Sequence, residues 1–217
     1  MALAFSLPCA DDAVSRRRVV ETGGAVLFLQ DFCTASLVES LKPDGGLRAF
    51  ARLPEREHFL LREMAERPDN MLTLAYTAEG MIVGQVTLAP AESSWRGLTN
   101  TYEIAFEVST GWRRRGLARQ LLDLVFEQEC LEDLIIIALG LSWHWDSAGL
   151  GLTSFAYRAI IERLMAHYGF AEYLTTKENI RMDPANIFLA RLGSRVPAES
   201  VSRFYDWLLQ SDTLPSL

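Results

Sequence analysis

The sequence predicts one α/β sandwich, and three observations carry that expectation. Apolar runs of strand length alternate with segments in which apolar residues recur every three or four positions. Two strand-like runs, Met71 to Thr77 and Met81 to Leu88, bracket Ala78-Glu79-Gly80, a short glycine-containing turn that marks a hairpin. The chain has 217 residues, 49% hydrophobic and 23% charged, enough to bury one sizeable core and too apolar for wholesale disorder.

Taken in order, residues 1–20 read as an irregular N-terminal segment whose basic run, Arg16-Arg17-Arg18, is either a solvated face or an anion contact. Gly24 to Gln30 is a compact apolar strand. Thr34 stands as an N-cap before a short helix over Ala35 to Leu41. Lys42 to Gly46 (KPDGG) is a turn. Pro54 to Arg67 is a helix with Phe59, Leu60 and Met64 at helical spacing, opened by Pro54 and ended by Pro68. After the hairpin, Pro90 to Thr99 is a polar loop and Thr101 to Ser109 a third strand. Leu117 to Glu129 is an amphipathic helix through Leu117, Leu121, Leu124 and Val125. Leu134 to Gly140 (LIIIALG) suits a central strand buried on both faces. Gly149 to His167 spaces Phe155, Ala159, Ile160 and Leu164 as a helix, with Gly169 as its C-terminal cap. Ala171 to Thr176 reads as a strand, Asp183 to Leu192 as a short helix or a final strand, and Pro197 to Leu209 as a helix. The expected organisation is a core domain over 21–195 and a helical C-terminal extension over 196–217.

Lys and Arg number 21 against 28 Asp and Glu, a net charge of −7, which removes the chain-wide electrostatic case for a nucleic-acid partner. Cys9, Cys33 and Cys130 show no C-x-x-C spacing and are too few for a disulfide framework. They read as buried thiols in a reducing compartment, and no metal site is expected. Met1 to Ala10 is apolar but lacks the charged flank of a signal peptide. No uncharged stretch reaches the ~18 residues of a membrane span. The expectation is a cytoplasmic protein with no membrane partner.

The stretch Glu103 to Arg119 (EIAFEVSTGWRRRGLAR) concentrates the chemistry. A strand ends at Val108, a turn presents Arg113, Arg114, Arg115 and Gly116, and a helix opens at Leu117. A helix N-terminus offers unpaired N–H donors and the positive end of its dipole to an anion. Gly116 lets the backbone approach a phosphate closely, and Ala118 keeps the first turn uncluttered. Three arginines on one turn of an acidic chain supply charge where a pyrophosphate would sit. A plain strand-to-helix turn with solvated arginines has the same spacing.

In register, Val108, Arg113, Arg115, Gly116 and Ala118 resemble the R/Q-x-x-G-x-G/A acetyl-CoA-binding signature of the GNAT acyltransferase superfamily. Gly84 in the hairpin and the strand Leu134 to Gly140 fall where that fold needs them, so the likeness covers residues 24–193. Ser142-Trp143-His144-Trp145-Asp146, Tyr157-Arg158, and Asp183-Pro184-Ala185-Asn186 with Ala190-Arg191-Leu192-Gly193 are similar to the acetoin-utilisation (AcuA) family within it. The resemblance implies a mixed, mostly antiparallel central sheet with a splayed strand pair, flanked by helices. It implies acetyl-CoA as cosubstrate, with the pantetheine arm along Phe106 to Val108 and the pyrophosphate on the main-chain N–H groups of Arg114 to Ala118. The implied cofactor set is Phe106, Val108, Arg113, Arg114, Arg115, Gly116, Leu117, Ala118 and Arg119, with Asn186 either on the pantetheine or capping a helix. It also implies a protein lysine acetyltransferase whose target is acetyl-CoA synthetase, switched off by acetylation.

Attack of an amine on a thioester requires a base, because a lysine is mostly protonated at neutral pH. Glu103 and Glu107 alternate with Ile104, Phe106 and Val108 and so share one strand face. Glu107 is the first choice for the base, since a carboxylate on a mostly apolar strand is costly unless used or paired; an ordinary paired carboxylate is the plainer alternative. His144 is the second candidate, an imidazole that titrates near working pH. Trp143 and Trp145 flank it as possible walls of a lysine tunnel, Asp146 is placed to orient its ring, and Tyr157 joins the substrate set; a packed structural histidine is the plainer alternative. His58 and His167 sit in helical patterns and read as structural. Many members of the superfamily place a tyrosine acid four residues before a terminal G-F. Here Met165 stands at that distance from Gly169-Phe170, and Leu189 from Gly193, so the thiolate is expected to leave unprotonated. The expected reaction is a ternary-complex acetyl transfer without a covalent intermediate. Acetylation of a small amine, or a CoA-holding binding module without turnover, are the alternatives.

Overall fold

The computed structural model describes residues 7, 15–51, 53–91, 98 and 100–209. In chain order these form β1 (Arg17–Thr22), β2 (Ala25–Gln30), α1 (Ala35–Ser40), β3 (Lys42–Pro43), α2 (Pro54–Glu66), β4 (Met71–Thr77), β5 (Met81–Pro90) and β6 (Thr101–Val108). They continue with α3 (Leu117–Phe126), β7 (Ile135–Gly140), α4 (Ser147–Leu150), α5 (Ser154–Ala166), β8 (Ala171–Glu172), α6 (Glu178–Arg181), β9 (Ile187–Leu192) and α7 (Ala198–Leu208). The chain divides into two compact units, Met1–Pro90 with Ile104–Leu131, and Ala91–Glu103 with Glu132–Leu217. The result is the mixed, mostly antiparallel sheet flanked by helices that the family resemblance implies.

In the first unit the strands run β1-β2-β4-β5-β6, with β3 parallel to β5. The β1–β2, β2–β4 and β4–β5 pairs are antiparallel. Residues 17–20, read from sequence as irregular, belong to β1. Gly23 and Gly24, with φ of 61° and 81°, turn the chain back so that Arg17 pairs with Gln30. The β4–β5 register shifts so that Gly84 faces Ala75 and Ile82 faces Tyr76, a bulge at Val83. A Cβ on Gly84 would lie 2.9 Å from Leu121 Cδ1, so the absent side chain lets α3 close on the sheet. Leu117, Leu121, Leu122, Leu124 and Val125 of α3 are buried there. The predicted helix ends sooner than expected, at Phe126, and a 3-10 turn over Glu129–Asp133 follows.

Thr34 caps α1 as expected, its Oγ1 accepting from Leu37 N at 3.3 Å. The α2 stripe keeps the expected Met64 against the core but is otherwise rotated from the one the sequence suggested. Leu61 and Glu57 are the buried positions, while Phe59 faces solvent under Arg56 and Arg62. Cys33 is a buried free thiol that burial pushes up to about 12. Cys130, by contrast, is disulfide-bonded, which corrects the expectation of three free thiols. Cys9 lies outside the described residues, as does most of the Pro90–Thr99 loop.

In the second unit, β6 pairs in parallel with β7 over Thr101 to Glu103, β7 pairs antiparallel with β9, and β9 with β8. Ile135, Ile137, Phe188 and Ala190 on the strands pack with Phe204, Trp207 and Leu208 of α7. The stretch left open between helix and strand is a turn followed by strand β9: Asp183 Oδ1 accepts from Ala185 N at 2.8 Å, and Asp183 O from Asn186 N at 2.9 Å. The strand expected over 171–176 is short, because beyond Tyr173 the chain turns to give Thr176 N to Leu208 O. On α5 the expected Leu164 does face inward, with Tyr157, Ile161 and Met165, whereas Phe155, Ala159 and Ile160 lie at the surface. No helix of the described residues is long and apolar enough to cross a membrane.

Candidate active site

The first unit holds the arginine-rich turn. After β6, buried Ser109 donates its N–H to Val83 O at 2.9 Å, and a 3-10 turn over Thr110–Trp112 leads out of the sheet. Arg113 folds back, its Nε donating to Val108 O at 3.0 Å, which fixes the start of the turn. Arg114 (φ 60°) and Gly116 (φ 77°) take left-handed conformations in close succession. Gly116 is the N-cap of the ten-residue helix α3, whose first turn receives no side-chain cap. Nothing lies within 4 Å of where a Cβ on Gly116 would be. The Arg115 guanidinium lies 5.2 Å from the Trp112 ring centroid and crowds Gly23. Arg114, Arg115, Gly116 and Arg119 are exposed, Ala118 is half-buried and Leu117 is buried. Uncapped N–H groups, an open approach and flanking guanidiniums form a fitting cradle for a pyrophosphate.

Glu107 stands on β6 just ahead of that turn and is only 5% exposed. Its Oε1 accepts from Arg48 N at 2.6 Å and Ala49 N at 2.8 Å. Its Oε2 is buried and takes no hydrogen bond. The two donors come from the segment after KPDGG, which is more than a connecting turn. Gly46 N donates to Asp44 Oδ1 at 2.8 Å, Thr110 N to Gly46 O at 3.2 Å, and Ser109 Oγ to Asp44 Oδ1. Burial pushes the Glu107 carboxyl up, against the pull of the Arg48 and Ala49 N–H groups and the Arg113 charge. Phe106 is half-buried and Val108 buried on the same strand. Sequence reasoning missed two neighbours, Glu57 on α2 and Gln85 on β5, each 1% exposed. The available signal was a polar residue at a buried-face position of each element: Glu57 one turn before Leu61, and Gln85 within MIVGQVTLAP.

The second unit gathers the remaining candidates. The 3-10 turn Ser142–His144 is anchored from one side: Asn186 Oδ1 accepts from Ser142 N at 2.7 Å, and Asp183 Oδ2 from Ser142 Oγ at 2.5 Å. The Ser142 hydroxyl and the Ala185 N–H together lower the Asp183 carboxyl from its ordinary value. Asn186 Nδ2 donates to Asn179 O at 2.8 Å, so both ends of this buried amide are spent within the protein. Arg158 Nη1 donates to Pro184 O at 3.0 Å, and its Nη2 to Glu172 at 2.6 Å. Three short motifs far apart in sequence therefore converge on one locus. It presents Trp143, 55% exposed, with the His144 ring edge-on to it at 6.0 Å. Trp145 stacks on Tyr157 at 5.3 Å, and Gly140 makes room for its indole. Asp146 uses Oδ1 to cap α4 through Gly149 N at 3.1 Å. Glu103 is half-buried where β6 pairs with Ile137. No cluster of three or more metal-ligating side chains occurs among the described residues.

The model of the acetyltransferase (GNAT) family matches residues 35–139. The chain is 31% identical over 163 residues to the acetoin utilization protein AcuA of Bacillus subtilis strain 168, covering 73% of this chain and 77% of that protein. It is 32% identical over the same length to AcuA of Bacillus licheniformis. The crystal structure of an acetoin utilization protein from Exiguobacterium sibiricum superposes with a TM-score of 0.85 at 28% identity, over 90% of this chain and 94% of that one. The acetyl-CoA complex of a phosphinothricin acetyltransferase from Sinorhizobium meliloti shares the fold, with a TM-score of 0.51 at 16% identity over 78% and 90% of the two chains. Convergence of the Ser142, Arg158 and Asp183 motifs on one locus, in a chain with this fold and these relatives, makes it a member of the AcuA family of GNAT acetyltransferases.

Proposed function

We propose that the protein transfers the acetyl group of acetyl-CoA to a lysine of a protein, acetyl-CoA synthetase, in the cytoplasm, with Glu107 as the general base. The observation that carries this reading is the state of Glu107: buried, gripped at Oε1 by two backbone N–H groups, bare at Oε2, and pushed up by burial. A carboxyl raised toward the working pH accepts a proton more readily than an ordinary surface glutamate. Acetyl-CoA supplies the activated thioester. The N-terminus of α3, with Arg113 to Arg119 around it, binds the pyrophosphate, and the β6 edge at Phe106 to Val108 lines the pantetheine. Glu107, directly or through a water, takes a proton from the acceptor ammonium so that the neutral amine attacks the thioester carbonyl, the C–S bond breaks and CoA leaves as the thiolate. Glu107 is preferred over Glu103 and His144 because it alone of the three combines deep burial with a bare carboxylate oxygen.

Trp143, Trp145 and Tyr157 are assigned to the acceptor lysine: an exposed indole beside a stacked aromatic pair suits an aliphatic stem carrying a cation. The protein acceptor is supported by the relationship to the AcuA proteins and by the resemblance of the W-H-W-D and P-A-N elements to that family. Glu107→Gln tests the assignment. It should lower kcat at least ~100-fold, the lower range for loss of a general base, while calorimetric affinity for acetyl-CoA stays within about twofold. Equal loss of affinity and turnover would make Glu107 a structural residue.

A further inference from the structure

The buried surroundings of Glu107 hold an unpaid donor deficit. Glu57 of α2, Gln85 of β5 and Glu107 of β6 are each 5% exposed or less. Gln85 Nε2 donates to Glu57 Oε1 at 2.5 Å. Three further atoms are buried with no hydrogen-bond partner: Glu57 Oε2, Gln85 Oε1 and Glu107 Oε2. With both glutamates ionised, all three are acceptors, and two negative charges share one apolar enclosure, an arrangement that buried polar groups avoid. One proton changes the count, because a carboxylic acid is a donor. A protonated Glu57 can offer its Oε2 hydrogen to Gln85 Oε1 while its Oε1 keeps the bond from Gln85 Nε2. The reciprocal acid–amide pair satisfies two of the three orphan atoms at once.

The proton belongs on Glu57 because the donors are unequally shared. Glu107 already has two backbone N–H groups on Oε1 and the Arg113 charge in its surroundings. Glu57 has the Gln85 side-chain amide and, more weakly, the Ala51 backbone N–H. Burial pushes the Glu57 carboxyl up, and the charge of Glu107 adds to it. Among the described residues, no cation from the elements packed on α2 offsets this. His58 turns away to Val38 O at 2.8 Å, Glu39 and Arg62 pair with each other at the surface, Lys42 of β3 is exposed, and β4 and β5 carry no charged residue.

We propose that Glu57 is held as the neutral acid and acts as a positioning residue, locking the Gln85 amide so that Glu107 remains the ionised member of a carboxyl pair that shares one proton. The effect on turnover rests on Glu107 being the base; the protonation of Glu57 does not.

Infrared difference spectroscopy tests the protonation apart from activity. At pH 7 the wild-type protein should show a buried carboxylic-acid C=O band that shifts in D2O and disappears in Glu57→Gln. The pH–rate profile tests the positioning. Glu57→Gln, whose amide reproduces the donor and acceptor of the acid, should leave the midpoint of the acid limb within about 0.3 pH units, whereas Glu57→Leu should lower kcat about tenfold without changing the KM for acetyl-CoA. Three results would overturn the proposal: a wild-type spectrum with no such band at pH 7, an unchanged band in Glu57→Gln, or an acid limb about one unit lower in Glu57→Gln. The last is the shift expected when a neighbouring negative charge is removed. Loss of the band with no activity in any variant would keep the protonated Glu57 and reject Glu107 as the base.

Discussion

Glu107 is costly where it stands, and the chain spends backbone on it. Two N–H groups from Arg48 and Ala49 are committed to one oxygen, and the loop that carries them is clamped by Asp44, Gly46 and Ser109. Because burial raises this carboxyl, activity should climb with pH through a limb above the ordinary carboxylate range, as Glu107 loses its proton; a limb at the value of an exposed glutamate would deny the residue its role. At Gly116 two effects separate cleanly. The space for a Cβ is open, but φ is 77°, so Gly116→Ala should cost about 1 kcal/mol of stability through backbone strain and leave measurable acetyl-CoA binding. Gly116→Glu adds a carboxylate at the N-terminus of α3 and should abolish binding, which calorimetry would detect. Glu107 and the turn were legible because strand alternation and an R-x-x-G-x-A spacing are written in neighbouring residues. Glu57, Gln85 and the Arg48–Ala49 donors were not, because their meaning lies in contacts 28 to 59 positions away along the chain, as with the Arg48–Glu107 bond.

Elements of this fold are joined at points where a side chain is missing. Gly84 is one: a Cβ there would sit 2.9 Å from Leu121 Cδ1 and 3.5 Å from Glu107 O. Gly84→Val should therefore lower stability by about 1–3 kcal/mol, as overpacking does, with urea denaturation as the check. Gly46 is another, where a Cβ would lie 2.9 Å from Thr110 N and collide with Ser109 Oγ. The periodicity of strands and helices came through well, including the hairpin, the Thr34 cap and the central strand. Helix faces came through less well. On α2 and α5 the exposed apolar residues Phe59, Phe155 and Ile160 competed with the true inward stripe, since spacing alone cannot tell which of two overlapping stripes meets a neighbour. Strand β1 escaped notice because half of its residues are charged and most face solvent, and its pairing with β2 supplies the order that its composition does not.

At the scale of the whole molecule, the raised carboxyls contribute a pH dependence opposite to that of the lowered Glu132, Asp133 and Asp183. For Glu57, the folded protein binds its proton more tightly than the unfolded chain. Its contribution to stability is complete below the ordinary value of 4.5 and is lost as pH rises from there through its higher folded value. The stability of Glu57→Gln relative to wild type should consequently grow as pH rises, measured by urea unfolding at a series of pH values; a difference that shrinks with pH would mean the carboxyl is depressed instead. The AcuA-like motifs act at this scale too, since Ser142, Arg158, Asp183 and Asn186 gain a purpose only when the fold gathers them around the Trp143 turn. The most direct measurement is incubation of wild type and Glu107→Gln with labelled acetyl-CoA and purified acetyl-CoA synthetase, followed by mass spectrometry of the lysines. Label on a synthetase lysine with wild type, lost in Glu107→Gln at undiminished acetyl-CoA affinity, is the expected result. Equal labelling by both proteins, or no transfer by a wild type that binds acetyl-CoA, would contradict it.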